Sequence, residues 1–221
     1  MTVIPGRLGK SLTPEQNQLG LERLVFFTDA VMAIAITLLV IDLRLPSVPA
    51  ALAAQQLPEL LRGLIPNFAS FIISFIVIGV YWSAHHRYFI YIRHFDSRLT
   101  ALNLLFLFFI ALMPFFSGME GQFGSAPLAV AAYSLEVAAT GASFTLLWWY
   151  ASYHHRLVDE DLDPTFIRTR LLAVIVNPFI FVLAALFAPL NSLLSVLIWW
   201  LSPFLSILTI RIMLPRPHRN K

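Results

Sequence analysis

The sequence contains no cysteine, which excludes a disulfide, a thiolate metal site and a cysteine nucleophile. Charge is scarce: 12% of its 221 residues are Asp, Glu, Lys or Arg, against about 25% in a soluble domain. No polar stretch is long enough for a sizeable soluble domain, so function lies within a membrane or at its edges. There is no Gly-rich phosphate loop, no HExxH and no GxSxG. An enzyme is therefore not expected, and neither is a resident cofactor or a nucleic-acid partner.

What is present is apolar. Hydrophobic residues make up 58% of the chain, and they fall in six segments, each near the roughly 20 residues that hydrocarbon demands. The predicted spans are 23–43, 63–90, 99–117, 127–153, 166–188 and 191–212. Residues 1–22 form a polar leading segment and 213–221 a basic tail. Thr13-Pro14-Glu15 has the form of an N-cap, a proline at the first helical position and an acid in the first turn. That predicts a short helix leading into the first span. Pro46 and Pro49 open a loop, in which Leu57-Pro58-Glu59-Leu60 reads as a short interfacial turn. With six spans, all but two of the 15 Lys and Arg residues share one side with both termini. Only Arg44 and Arg62 lie opposite. The positive-inside rule then puts both termini in the cytoplasm of a multi-pass protein of the cell membrane. The fold class is all-α and integral to the membrane.

The first span carries an acid, Asp29, which is costly in hydrocarbon and needs partners. At 1.5 Å per residue Asp29 lies about 9 Å past Arg23. The second span runs the opposite way and brings His85 and His86 to the same end; the third starts there with Asn103. Trp82 shares a helix face with both histidines and offers an indole N–H. The expected arrangement is Asp29 bonded to His85 or His86, supported by Trp82, Asn103 or Thr28. Arg23, six residues before Asp29, is not placed to pair with it within one helix. A rival reading leaves the histidines at the interface. Glu136 in the fourth span is either an ion or proton site or an interfacial acid.

Ile34, Thr37, Leu38 and Ile41 fall at i, i+3, i+4 and i+7, one continuous stripe. Ile34 is about 140° around the helix from Asp29. If Asp29 faces its own subunit, the stripe faces lipid or a symmetry axis.

The motifs are familiar as a set. Arg23, Phe27, Thr28 and Asp29, followed by the Ala-Ile-Ala-Ile-Thr-Leu-Leu-Val type run from Ala33 to Val40, resemble the first-helix motif of the lysosomal potassium-channel family, transmembrane protein 175, in its prokaryotic branch. Tyr81 to Phe89 and Asn103-Leu104-Leu105 with Pro114-Phe115 are similar to its second and third helices. Thr28 stands where the family usually has serine. The resemblance implies a homotetramer of six-helix subunits in which helix 1 lines a central pore. It implies permeation by potassium, with other monovalent cations or protons as further candidates, and without a TVGYG filter. It further implies a constriction at Ile34, pore-facing Thr37 and Ile41 with Leu38 beside them, and a structural polar network of Arg23, Thr28, Asp29, the Trp and His of helix 2 and Asn103. A different reading is a proton-coupled carrier using Asp29, His85 and Glu136.

Overall fold

A computed structural model describes residues 13–45, 47–202, 204, 205, 208 and 211. Its helices are α1 (Pro14–Leu38), α2 (Ala50–Gly63), α3 (Ile65–Phe89), α4 (Ser97–Phe123), α5 (Pro127–Ser152), α6 (Pro164–Phe187) and α7 (Ser192–Trp199). Five of them, the first extended through its terminal turn to Asp42, are long and apolar enough to cross a membrane. The sixth predicted span, 191–212, begins with α7, and part of its length lies outside the described residues, as do most of the leading segment and the basic tail.

The Thr13 cap forms as the sequence predicts. Thr13 Oγ1 accepts from the Gln16 N–H, and Gln16 Oε1 accepts from the Thr13 N–H, a reciprocal capping box. The helix it starts does not break before the membrane. α1 runs unbroken from Pro14 to Leu38 and then tightens into a 3-10 turn at Leu39–Asp42. The leading helix and the first span are thus one element. Asp96, Asp163 and Asn191 cap α4, α6 and α7 through the backbone N–H groups of Leu99, Thr165 and Leu194.

The loop predicted after the first span contains a helix. α2 starts after Pro49 and holds Pro58 within it. Leu57, Leu60, Leu61 and Leu64 fall on one side and Gln55, Gln56, Glu59 and Arg62 on the other, the pattern of a helix lying in a membrane interface. Glu59 and Arg62 pair on its exposed face.

α5 is the centre of the bundle, flanked by α4 and α6; α3 packs on α4, and α7 on α6. α1 sits at one edge and touches α3 and α4. Lipid tails are as apolar as leucine, so such a bundle holds together by close packing and interhelical hydrogen bonds. Both are visible. Trp148, Tyr133, Phe106 and Phe144 are fully buried, with Tyr88 standing edge-on to Trp148 at 4.7 Å between ring centres. Ser70 donates to the Ser117 carbonyl, Ser74 bonds Tyr133, Tyr81 donates to the Val137 carbonyl and to Asn177, and Trp199 donates to Ser134.

The end of the bundle that carries Arg87, Arg93, Arg98, Arg156, Arg168 and Arg170, here the basic end, is interlocked by its loops. The Arg93 and His94 N–H groups both donate to the Leu157 carbonyl. Arg93 pairs with Asp159 at 2.8 Å, and the Tyr150 hydroxyl donates to Asp96. α1 is tied into this end by Asn17, whose side chain donates to the Arg93 carbonyl and accepts from the Phe95 N–H. Gly20 makes room for the Phe95 ring, which a Cβ would meet at 2.8 Å.

Candidate functional site

Depth in the bundle brings the expected polar residues together, but rotation about each helix sorts them into two groups. In the first, Trp82 Nε1 on α3 donates to Asp29 Oδ1 on α1 at 2.9 Å. Asp29 is half-buried, Trp82 is exposed on the subunit surface, and His86 stacks on the indole. In the second, His85 Nε2 meets Asn103 Oδ1 at 3.0 Å, Asn103 Nδ2 donates to Thr28 Oγ1 at 2.8 Å, and Thr28 donates to the Leu24 carbonyl. His85 is 1% exposed, Asn103 and Thr28 0%.

The expected hydrogen bond between Asp29 and a histidine is not formed. His85 points into the core, stacked on Phe89 and Phe106. His86, one residue and about 100° on, points outward. Arg23 is exposed and makes no hydrogen bond or ion pair among the described residues. The chain of His85, Asn103 and Thr28 therefore fastens α3, α4 and α1 to one another, while the Trp82–Asp29 contact fixes how α1 is turned.

That turn decides which face of α1 remains free. Thr28, Met32, Ala35 and Leu39 are buried against α3 and α4. Ile34 is 57% exposed, and Thr37, Leu38 and Ile41 are exposed with it. The free face is broader than the stripe and includes Phe26, Phe27 and Val40. Ile41 lies on the terminal 3-10 turn rather than on the α-helix. Thr37 Oγ1 donates to the Ile34 carbonyl at 2.8 Å. Its proton is thus committed to the backbone, and its oxygen lone pairs face outward. Beyond the stripe, the Asp42 carboxylate lies directly on Gly118 of α4, where any Cβ would overlap it.

Glu136 faces the interior of the bundle rather than its surface. It is 4% exposed, accepts from Thr140 at 2.9 Å, and leaves Oε2 buried without a partner. Tyr81, on the carbonyl of the adjacent Val137, is buried beside it. Asp29, His85 and Glu136 thus belong to three separate clusters. Two features of the core had no counterpart in the sequence reading, the Tyr81–Asn177 tie to α6 and the buried Nε of Arg170. The aligned residues Ser70, Ser74, Tyr81, His85 and Tyr88 down one side of α3 are the pattern that points to a polar inner face.

A family profile described as endosomal/lysosomal potassium channel TMEM175 matches residues 23–114. A potassium channel of Streptomyces collinus is 36% identical over 145 residues, 64% of this chain and 69% of that protein. A potassium channel of Chamaesiphon minutus is 31% identical over 68% of this chain and 74% of that protein. The endosomal/lysosomal proton channel TMEM175 of Gallus gallus is 25% identical over 78% of this chain, which spans only 36% of its length. Among solved structures, a lysosomal potassium-selective channel TMEM175 homolog from Chamaesiphon minutus superposes with a TM-score of 0.73 at 24% identity, over 88% of this chain and 98% of that one. A single-residue variant of the potassium channel MtTMEM175, in complex with a nanobody fusion protein, superposes with a TM-score of 0.62 at 21% identity, over 96% and 98%.

Proposed function

We propose, from the premise that this chain belongs to the TMEM175 family of ion channels, that it is one subunit of a homotetrameric, potassium-permeable leak channel of the cell membrane. Six spans, the last at 191–212, cross the bilayer with both termini in the cytoplasm. Residues 23–212 form the channel domain, between a cytosolic leading segment and a basic tail. α1 from each subunit lines the central path.

The observation that carries this reading is the free face of α1. α1 lies at the edge of the bundle with one side packed on α3 and α4. Ile34, Thr37, Leu38 and Ile41 remain uncovered on the other side. A single helix cannot enclose a path. Closed rotational symmetry turns one uncovered face into a continuous wall.

In that wall Ile34 forms an apolar ring that strips or excludes water. Thr37, one turn further out, presents oxygens whose protons are already donated to the Ile34 carbonyl. They donate nothing to a neighbour and offer lone pairs to a cation that has shed hydration water. Potassium is held less tightly by its water than sodium, so a narrow ring with few replacement ligands favours it. The Trp82–Asp29 contact and the His85–Asn103–Thr28 chain have a structural role: they hold α1 at the rotation that directs Ile34 and Thr37 inward.

Single-channel recording of reconstituted protein under a potassium-to-sodium gradient tests the reading. Ile34→Asn is expected to let water stand in the ring, raise conductance and weaken discrimination. An Ile34→Asn channel that conducts and selects like the parent would mean that permeation does not follow α1. A clean monomer by native mass spectrometry would remove the shared wall altogether.

A further inference from the structure

We propose that each subunit holds an anionic phospholipid in the groove between α3 and α6 at the basic end of the bundle. The groove exists because α3 and α6 are bridged there by side chains, not by helix-to-helix packing. Tyr81 reaches Asn177, and the Tyr88 hydroxyl donates to the Arg170 carbonyl. Gly141 and Phe144 of α5 form the floor.

Two arginines stand at its mouth, Arg87 from α3 and Arg170 from α6. Neither pairs with a carboxylate among the described residues, where the ion pairs are Glu59–Arg62 and Arg93–Asp159. Arg87 spends one N–H on Ser83 of its own helix. Arg170 is held over the rings of Tyr88 and Phe166 at 5.6 and 5.0 Å. Its Nε is buried without a hydrogen bond among the described residues, which leaves the terminal N–H groups as the donors open to a ligand. Two guanidinium groups with unused donors, one of them fixed between aromatic rings, suit a phosphate that accepts from both.

The rest of the groove argues for a lipid over a soluble anion. It lies between two membrane-spanning helices, and its walls include Val80, Ala84 and Val174. Its volume is about 110 Å³, well below the roughly 300–1,000 Å³ of a metabolite pocket and suited to a stretch of acyl chain. The basic end is also the cytoplasmic end by the positive-inside rule, the leaflet where anionic headgroups attract arginine. The phosphate then sits between Arg87 and Arg170 while one chain runs down the groove toward Asn177.

Native mass spectrometry of the purified protein, titrated in parallel with phosphatidylglycerol and phosphatidylcholine, tests this. The parent should retain phosphatidylglycerol in preference. Arg87→Gln and Arg170→Gln should each weaken that retention about fivefold. Ala84→Phe, which fills the groove and leaves both arginines, should abolish the preference, and Arg62→Gln on α2 should leave it unchanged. Arg87 is exposed and bonded only within its own helix, so that variant tests the site without threatening the fold. Equal retention of the two lipids, an undiminished preference in Arg87→Gln, or retention that survives Ala84→Phe would each overturn the proposal. So would stabilisation by inorganic phosphate equal to that by phosphatidylglycerol, which would make the site one for a free anion.

Discussion

Replacing Asn103 by leucine removes the middle of the chain that joins α3, α4 and α1. The two side chains have the same branched outline and number of heavy atoms, but the methyl groups of leucine are bulkier, so the polar part of the effect is isolated by comparison with a double variant. Asn103 gives up two bonds, one with His85 and one to Thr28. Thr28 still donates to the Leu24 carbonyl, so its hydroxyl loses only a bond it accepts. Interhelical side-chain bonds in membrane bundles average about 0.6 kcal/mol. His85 fares worse. It is 1% exposed and stacked on Phe89 and Phe106, closed off from the solvent by the rings around it. A buried polar group left without its partner costs about 1–3 kcal/mol. The sum is about 1.6–3.6 kcal/mol, and the histidine dominates it. Reversible unfolding in mixed micelles, titrated with denaturing detergent, measures this directly. The cost should shrink when His85 is also made apolar, since replacing both partners with hydrophobic groups is nearly neutral. His85→Phe with Asn103→Leu should therefore recover at least about 1 kcal/mol relative to Asn103→Leu alone. A single variant within about 0.5 kcal/mol of the parent, or strict additivity in the double, would refute the account of the chain as a fastening.

Three further outcomes follow from neighbouring contacts. Asp29→Asn keeps an acceptor for the Trp82 indole and loses only charge assistance, so it should cost about 1 kcal/mol, and Asp29→Ala about 2 kcal/mol, in the same unfolding assay; an Asp29→Asn channel of unchanged stability but altered ion preference would put Asp29 in the permeation path. Thr37→Ala and Thr37→Val should lower potassium-over-sodium discrimination with less effect on conductance, while Thr37→Ser, which retains the outward oxygen, should preserve it in bilayer recordings. Gly118→Ala forces the Asp42 carboxylate off α4 and should destabilise the bundle by about 1–3 kcal/mol, measured by thermal melting; an unshifted melt would mean that the 3-10 turn yields freely.

Hydropathy reports depth, and depth was legible. The residues of the polar clusters lie where the lengths of their spans put them. Rotation about each helix was not legible, and it separated His85 from His86 and gave Asp29 to Trp82 instead of to a histidine. The Ile34 stripe was readable from its own i, i+3, i+4, i+7 spacing and from its place nearly opposite Asp29 around the helix. α2 escaped because Pro49 and Pro58 read as breakers. Proline is tolerated at a helix start, and on an exposed helix the missing bond at Pro58 is left to solvent; the alternation of Leu57, Leu60 and Leu61 with Gln56 and Glu59 was the available signal. The burial of Glu136 escaped because its distance from the nearest loop suits a surface acid as well as a buried one. Only the neighbouring Tyr81 and Tyr133 decide between them, and they come from packing that the sequence does not display.

α1 is a single unbroken helix from the polar leading segment into the first apolar span, fastened to the chain at residues 93–95 by Asn17. Ile34 is 17 residues further along, about 25 Å at 1.5 Å per residue. With Asn17 as its fulcrum, a tilt of about 5° displaces Ile34 sideways by about 2 Å, more than the radius of a water molecule. The short stretch from Thr13 to Gly20 is in this sense a handle. In the proposed tetramer, a binder that grips it from the aqueous side would act as a lever on Ile34, with no contact inside the membrane.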